Sequence, residues 1–397
     1  MLSILLATLA GITIGIITGL TPGIHINLVA AMMIAYSAVL LQFTSPIILA
    51  CFIIAMSITH TFLDAIPSVF LGAPKDENAL GVLPGHRYLL KGKGYTAVKL
   101  TIIGSFFGLL FSLALFPLLI PVVSFLYPAM KNYIAYFLIA IALFMIFRDE
   151  KWHWALFIFL LSGIFGLLVF SSNLKNPLFP LLSGLFGIAT LLVSLNENEV
   201  IPEQKTKQDL KLDTKKSIIA IISGTFSGWI TAFLPGISSA IAAVISLQFT
   251  KKLGDYGFMI LIGVIGTVNF SLSLVTFYVL NKARNGSVVA IQHFLEINTT
   301  TLLIFIAVSM IAGAIAVFLT LKLTKWFAIN ITKVKYKVLV SSIILFIVLL
   351  AFLLCSWLGL FVLLIATAIG LLPAMQKTAR THAMGCLVLP VILYFIL

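Results

Sequence analysis

The sequence predicts an all-α polytopic membrane protein, with about 12–14 membrane segments in two inverted-topology repeats, each opening with a helical hairpin broken at Pro-Gly. Three observations predict this. Of 397 residues, 61% are hydrophobic and 9% charged, whereas a soluble domain carries about 25% charged and 45–50% apolar residues. The 25 Lys and Arg and 12 Asp and Glu residues could not cover the polar surfaces of a soluble chain this long. The apolar runs continue for roughly 17–30 residues, which excludes the alternating pattern of a membrane barrel. Finally, one Pro-Gly element occurs twice.

Hydropathy, Pro/Gly breaks and charge clusters place segments near 2–20, 24–43, 46–71, 95–126, 132–148, 154–171, 178–195, 217–233, 237–250, 256–281, 299–323, 338–355, 357–373 and 382–397. The first is expected to be a retained membrane segment, because no positive n-region precedes its apolar run. Asn196–Lys216 is polar and of mixed charge, and reads as a cytoplasmic linker between repeat 1 (1–195) and repeat 2 (217–397). If the segments alternate direction, the loops near 72–99, 148–151, 196–216, 251–252, 322–337 and 377–380 share one side. They hold 21 of the 25 Lys and Arg residues, leaving Lys131, Lys175, Lys282 and Arg284 opposite. Basic loops are cytoplasmic, so a multi-pass protein of the cell membrane with both termini extracytoplasmic is expected. The formal net charge of +13 reflects that asymmetry and not a nucleic-acid partner. Cys51, Cys355 and Cys386 are isolated in apolar segments, so no disulfide framework or metal site is expected. Trp152, Trp154 and Trp326 stand beside charges and read as interfacial anchors.

The repeated element is Gly11-x3-Gly15-x6-Pro22-Gly23-Ile24, matched at a constant offset of 213 by Gly224-x3-Gly228-x6-Pro235-Gly236-Ile237. Thr18 matches Thr231, and Ala30 matches Ala243. Thr59-His60-Thr61-Phe62 resembles Thr267-Val268-Asn269-Phe270 after a small gap. Each half then contains about seven segments, an odd number, so the second copy inserts upside down. Glycines four apart bare one helix face for close approach by a neighbouring backbone. Proline ends the hydrogen-bond ladder and glycine accepts unusual conformations, so Pro22 and Pro235 are expected to break the helix. A tight turn between two full spans is the plain alternative. Leu20–Ile24 and Leu234–Ile237 carry no charge, however, which favours a break within the bilayer beside protein or a water-filled cavity. A helix starting at Gly23 or Gly236 would present free N–H groups to an anion.

Few polar groups fall inside the apolar segments. Asp64 is the one acid, and His60 lies four residues earlier on the same helical face. His25 and Asn27 follow the first Pro-Gly, Ser238 and Ser239 follow the second, and Asn269 stands in the second T-x-x-F stretch. An ionisable group at a helix centre costs roughly 2.5–3.5 kcal/mol on insertion scales and usually faces the bundle interior. Structural roles compete for each residue: helix capping by Asp64, a backbone donor at His25, interhelical bonds at Asn27 and Asn269, and local backbone bonds at Ser238, Ser239 and Thr61. Together they follow the repeat, and predict an anion site at Gly23, Ile24, His25, Asn27, Gly236, Ile237, Ser238, Ser239 and Asn269. His60 and Asp64 are then the ion-coupling pair, with proton or sodium as the coupling ion. No nucleotide-hydrolysing motif and no cofactor site is read, so transport would be secondary.

The duplicated G-x3-G-x6-P-G elements, the T-x-x-F stretch after each, and the basic loop Leu83–Gly94 before Gly104 and Gly108 carry a resemblance. The sequence resembles the TctA-like large membrane subunits of the tripartite tricarboxylate transporters. That resemblance implies ion-coupled uptake of a small carboxylate, with a small membrane subunit and an extracytoplasmic binding protein as partners. Pro235-Gly236-Ile237-Ser238-Ser239 also resembles the P-G-x-S elements of polyprenyl-phosphate translocases, the second transport reading. An intramembrane enzyme using His60 and Asp64 is the alternative of another class, and no nucleophile or metal set accompanies them.

Overall fold

The computed structural model describes residues 1–21, 26–71, 82–174, 176–196, 201–206, 212–233, 242–243, 246, 253–283, 285–333 and 336–397. Its described elements are all helical. In the first half they are α1 (Leu2–Leu20), α2 (Ile26–Ala35), α3 (Ser37–Phe43), α4 (Pro46–Leu63), α5 (Ala65–Phe70), α6 (Val82–Leu90), α7 (Gly94–Met130), α8 (Ile134–Phe147), α9 (Trp152–Ser171), α10 (Leu178–Leu182) and α11 (Ala189–Asn196). The second half contributes α12 (Thr214–Phe233), α13 (Gly254–Leu280), α14 (Gly286–Phe294), α15 (Thr299–Asn330), α16 (Tyr336–Gln376) and α17 (Gly385–Ile396). Among the described residues, seven helices are long and apolar enough to cross a membrane: Leu2–Leu20, Pro46–Phe70, Gly94–Leu126, Trp152–Ser171, Gly254–Leu280, Thr299–Asn330 and Val340–Gln376. This is a polytopic helical membrane protein.

Several breaks interrupt the helices. α16 is interrupted at Ser356, whose φ of 58° and ψ of −159° are not helical, between the expected segments 338–355 and 357–373. A six-residue π-turn, Ser183–Ile188, joins α10 to α11. The expected segment 24–43 is divided at Tyr36 into α2 and α3. Ten helical residues extend about 15 Å, half of a hydrocarbon core near 30 Å, so α2 alone does not span it.

Burial separates the spans. α13 is 94% buried over its membrane window and the α4–α5 span 78%, against 28% for α16. Two nearly sealed helices therefore form the axis, and α1, α7, α12 and α15 wall them in. The α7–α13 seam is glycine-tight. A Cβ at Gly104 would overlap the Ile260 carbonyl oxygen, and one at Gly263 the Thr101 carbonyl oxygen. Ser105 Oγ donates to the Gly263 carbonyl at 3.1 Å across the same seam.

The contacts also fix direction. Gly11 meets Phe52 and Gly19 meets Leu63, so α1 and α4 run the same way. Gly224 meets Leu261 and Gly228 meets Val268, so α12 and α13 do likewise. Gly104 faces Ile260 and Gly108 faces Val268, making α7 parallel to α13. Gly94 lies against Phe70, while Ile58 and Leu109 both border Gly313, so α7 runs opposite to α4–α5. The α1–α4 pair is thus antiparallel to the α12–α13 pair.

A second hydrophobic core gathers α8, α9, α10, the C-terminal part of α16 and α17, including Ile158, Phe159, Leu185, Ala366 and Cys386. Both cores draw helices from both halves of the chain. α9 packs on α17, where Gly166 approaches Cys386, and α16 packs on the π-turn, where Gly370 approaches Leu185.

Basic connections meet one another. The linker side chain Gln204 donates to the Leu89 carbonyl at 3.0 Å and accepts from the Gly94 amide at 2.9 Å, while the Lys205 amide donates to the Gly92 carbonyl at 2.9 Å. Arg87 Nε donates to Asp255 at 3.0 Å. The described part of the linker is therefore stitched to the α6–α7 turn and is not a free tether.

Beside the second core, Asp149 accepts from the Ala379 amide at 3.1 Å and the Lys151 amide at 3.0 Å, and pairs with His382 Nε2 at 2.9 Å. Burial works to raise the Asp149 pKa, but the hydrogen bonds from His382, Lys151 and Ala379 outweigh it and hold the carboxyl below its ordinary 3.8. A depressed carboxylate contributes stability above its unfolded pKa and loses it as pH falls through the folded value. Asp149→Asn should therefore cost about 1–3 kcal/mol at pH 7. Thermal unfolding in detergent at several pH values checks this, and the gap between parent and variant should shrink below the ordinary 3.8.

Candidate functional site

The polar residues of the two axial helices concentrate where α1 and α12 end. α1 stops at Leu20, and Thr21 is already extended (φ −90°, ψ 111°), immediately before Pro22. α12 stops at Phe233, two residues before Pro235. Pro22, Gly23, Ile24, His25, Pro235, Gly236, Ile237, Ser238 and Ser239 lie outside the described residues. Asn27 stands in the first turn of α2. The structure thus describes the walls from which both expected tips emerge.

In the first half, glycine brings α1 against α4. A Cβ at Gly15 would meet the Met56 carbonyl oxygen and Thr59 Cβ, each at 2.7 Å, and one at Gly19 would meet Leu63 Cβ at 2.7 Å. That approach puts Thr18 Oγ1 3.0 Å from His60 Nδ1. Thr18 Oγ1 also donates to the Gly15 carbonyl at 3.3 Å. Ser57, Thr59, His60, Thr61 and Asp64 are all buried along α4 and its junction with α5. Asp64 forms that junction, its amide donating to the His60 carbonyl at 3.0 Å and its carbonyl accepting from the Ser68 amide at 3.3 Å.

The second half repeats the arrangement. Gly224 and Gly228 face Val264 and Val268 on α13. Thr231 Oγ1 donates to the Gly228 carbonyl at 2.9 Å and accepts from Asn269 Nδ2 at 2.8 Å. Thr276 Oγ1 donates to the Ala232 carbonyl at 3.1 Å, in the last turn of α12. The halves touch where Thr61 Oγ1 and Thr267 Oγ1 stand 3.3 Å apart, both buried.

Equivalent contacts correct the alignment of the two T-x-x-F stretches. Phe52 corresponds to Leu261, Met56 to Ile265 and Thr59 to Val268, a constant 209. Matching the letters Thr59 to Thr267 gives 208 and turns the second helix by one residue. Packing selects the helix face and not the shared letters, so His60 corresponds to Asn269 and Asp64 to Ser273. The structure therefore brings His60 and Asn269 to matching places, each against the last turn of the helix that precedes its own Pro-Gly element in the chain. Thr18, Thr231 and Thr267 complete the polar seam. The match of Thr18 to Thr231 in the repeat was their sequence signal, while nothing in the letters singled out Thr267 as the partner of Thr61.

This arrangement suits recognition more than bond-making. It offers neutral hydroxyl and amide groups, one imidazole and one carboxyl in a sealed interior. Among the described residues, no group of three or more His, Cys, Asp or Glu could hold a metal ion.

The profile of the tripartite tricarboxylate transporter TctA family matches residues 5–385. An uncharacterized protein of Methanocaldococcus jannaschii is 33% identical over 404 aligned positions, covering 99% of each chain. No solved structure matches the chain.

Proposed function

We propose that this chain, which belongs to the tripartite tricarboxylate transporter TctA family, carries a small organic anion, a di- or tricarboxylate, between its two Pro-Gly tips. Family membership makes it a component of a transport system and not an enzyme. The finer reading rests on one observation: two matched polar pairs, Thr18–His60 and Thr231–Asn269, stand at the last turns of the helices that precede the two elements, in helix pairs of opposite direction. Opposed pairs are what an inverted repeat produces, and such repeats bind substrate where broken helices meet.

In this reading, backbone N–H groups near Ile24, His25, Ile237 and Ser238 hold the carboxylate oxygens, and Gly23 and Gly236 leave room for them. Side chains of His25, Asn27, Ser238, Ser239 and Asn269 complete the hydrogen bonds. No Lys or Arg lies in these stretches, so helix dipoles and a coupled cation, proton or sodium, balance the substrate charge. A fixed arginine clamp would add bidentate, charge-assisted bonds that slow release. His60 and Asp64 carry the coupling ion. The basic loops face the cytoplasm of a cell-membrane protein whose termini lie outside, and a small membrane subunit and an extracytoplasmic binding protein complete the system.

Binding of citrate to the purified chain, measured by calorimetry beside a short-chain polyprenyl phosphate, tests the reading. Citrate should bind, and Gly23→Val or Gly236→Val should abolish binding while the protein still inserts and elutes as a single species. Full affinity in both variants would sink the shared site, and saturable binding of the lipid phosphate alone would replace the substrate class.

A further inference from the structure

We infer that His60 and Asn269 are matched positioning residues, each pinning the last turn before a Pro-Gly element through one N–H donated to a threonine. This rests on the reading of the chain as an anion transporter with its site between the tips. The argument begins with the hydroxyl proton. Thr18 Oγ1 lies 3.3 Å from the Gly15 carbonyl and Thr231 Oγ1 2.9 Å from the Gly228 carbonyl. A carbonyl only accepts, so each hydroxyl commits its proton to its own helix and faces its neighbour with lone pairs. Asn269 Nδ2 fills that role at 2.8 Å as a donor. His60 Nδ1, at 3.0 Å, does the same when the neutral ring is the Nδ1–H tautomer.

The two donors are stereochemically equivalent. The Nδ1 of histidine and the Nδ2 of asparagine are both attached to Cγ, the same number of bonds from Cα. Placed at equivalent positions on α4 and α13, they deliver an N–H to the same point. A glycine face lets two helices approach but offers little to fix their sliding or rotation. The pin supplies that register one turn beyond Gly15 and Gly228, at the place where the chain leaves the helix for the tip. Its requirement is an N–H and not a charge, so histidine serves one half and asparagine the other.

The test uses the full chain in liposomes, with Cys51, Cys355 and Cys386 replaced and spin labels at the exposed positions Ile17 on α1 and Phe226 on α12. Double electron–electron resonance without substrate then reports how firmly the two tip-bearing helices are held. His60→Asn and Asn269→His should keep the parent's narrow distance distribution. Thr18→Val, which keeps the side-chain shape, and His60→Leu should broaden the distribution and weaken citrate binding about tenfold, as expected for one lost buried hydrogen bond. A distribution in His60→Asn as broad as in His60→Leu would overturn the pin, and so would a narrow one in both Thr18→Val and His60→Leu. If the distances behave as stated while even the parent ignores citrate, the pin stands and the transport reading falls.

Discussion

Gly263→Val should yield no folded protein. The first added carbon would overlap the Thr101 carbonyl oxygen, an atom of a helical backbone that cannot rotate away as a side chain would. The reciprocal contact, Gly104 against the Ile260 carbonyl, closes the seam from the other side, so neither helix has room to retreat. Overpacking costs about 1–3 kcal/mol when side chains can yield; here two backbones must separate along the most buried of the seven described spans. Separation would also break the Ser105–Gly263 hydrogen bond. Detergent-solubilised protein should be lost to the void volume in size-exclusion chromatography. Gly254→Ala is the control: nothing lies within 4 Å of its Cβ position, and only its φ of +61° opposes a side chain. That variant should stay folded at a cost near 1 kcal/mol. A single sharp Gly263→Val peak with parental stability would show that the α7–α13 seam is wrong.

The seam shows what was legible in the residues and what was not. Gly104 and Gly108 are visible in the sequence as small residues in an apolar span, but nothing in their spacing says that α13 fills the space. Composition alone settled the membrane class, because 9% charge cannot solvate a chain of 397 residues. The break at Ser356 falls between the expected segments 338–355 and 357–373, whereas the break at Tyr36 divides the expected segment 24–43, with no Pro or Gly there to announce it. The axial role of α4 and α13 was harder to see, since hydropathy measures how well a helix tolerates lipid. These two are in fact less apolar than α15 and α16. Sealed by protein, they can carry Ser57, Thr61, Thr267 and Ser271, whereas lipid-facing helices must be apolar outside. The register of the T-x-x-F stretches slipped for a related reason: two similar four-letter strings fix a helix face only when its packing partner is known. His60 and Asp64 stand out in the sequence because an ionisable group at membrane depth is costly enough to need a reason.

Asp64→Asn should keep the fold and abolish concentrative uptake. The carboxyl is 2% exposed at the α4–α5 junction, inside a span with no other acid. Keeping a carboxylate at such depth costs roughly 2.5–3.5 kcal/mol on insertion scales, and a neutral amide of the same shape avoids that cost. A merely structural Asp64 would therefore be replaced at no loss of function. The corresponding position in the second half is Ser273, whose Oγ donates to the Asn269 carbonyl at 2.7 Å, so a neutral side chain fits that place in the fold. Each net positive charge moved across 100 mV supplies about 2.3 kcal/mol, enough for about fiftyfold accumulation, so the cations moved must outnumber the charges of the carboxylate. In proteoliposomes holding the complete transport system, the parent should concentrate labelled citrate under a proton or sodium gradient. Asp64→Asn should equilibrate it to a ratio near one while still exchanging internal for external citrate, because Asp64 is not among the groups proposed to hold the anion. Imposing the two gradients separately identifies the coupling ion in the parent. Gradient-driven accumulation undiminished in Asp64→Asn would remove Asp64 from the coupling path and leave it a structural residue of the helix junction.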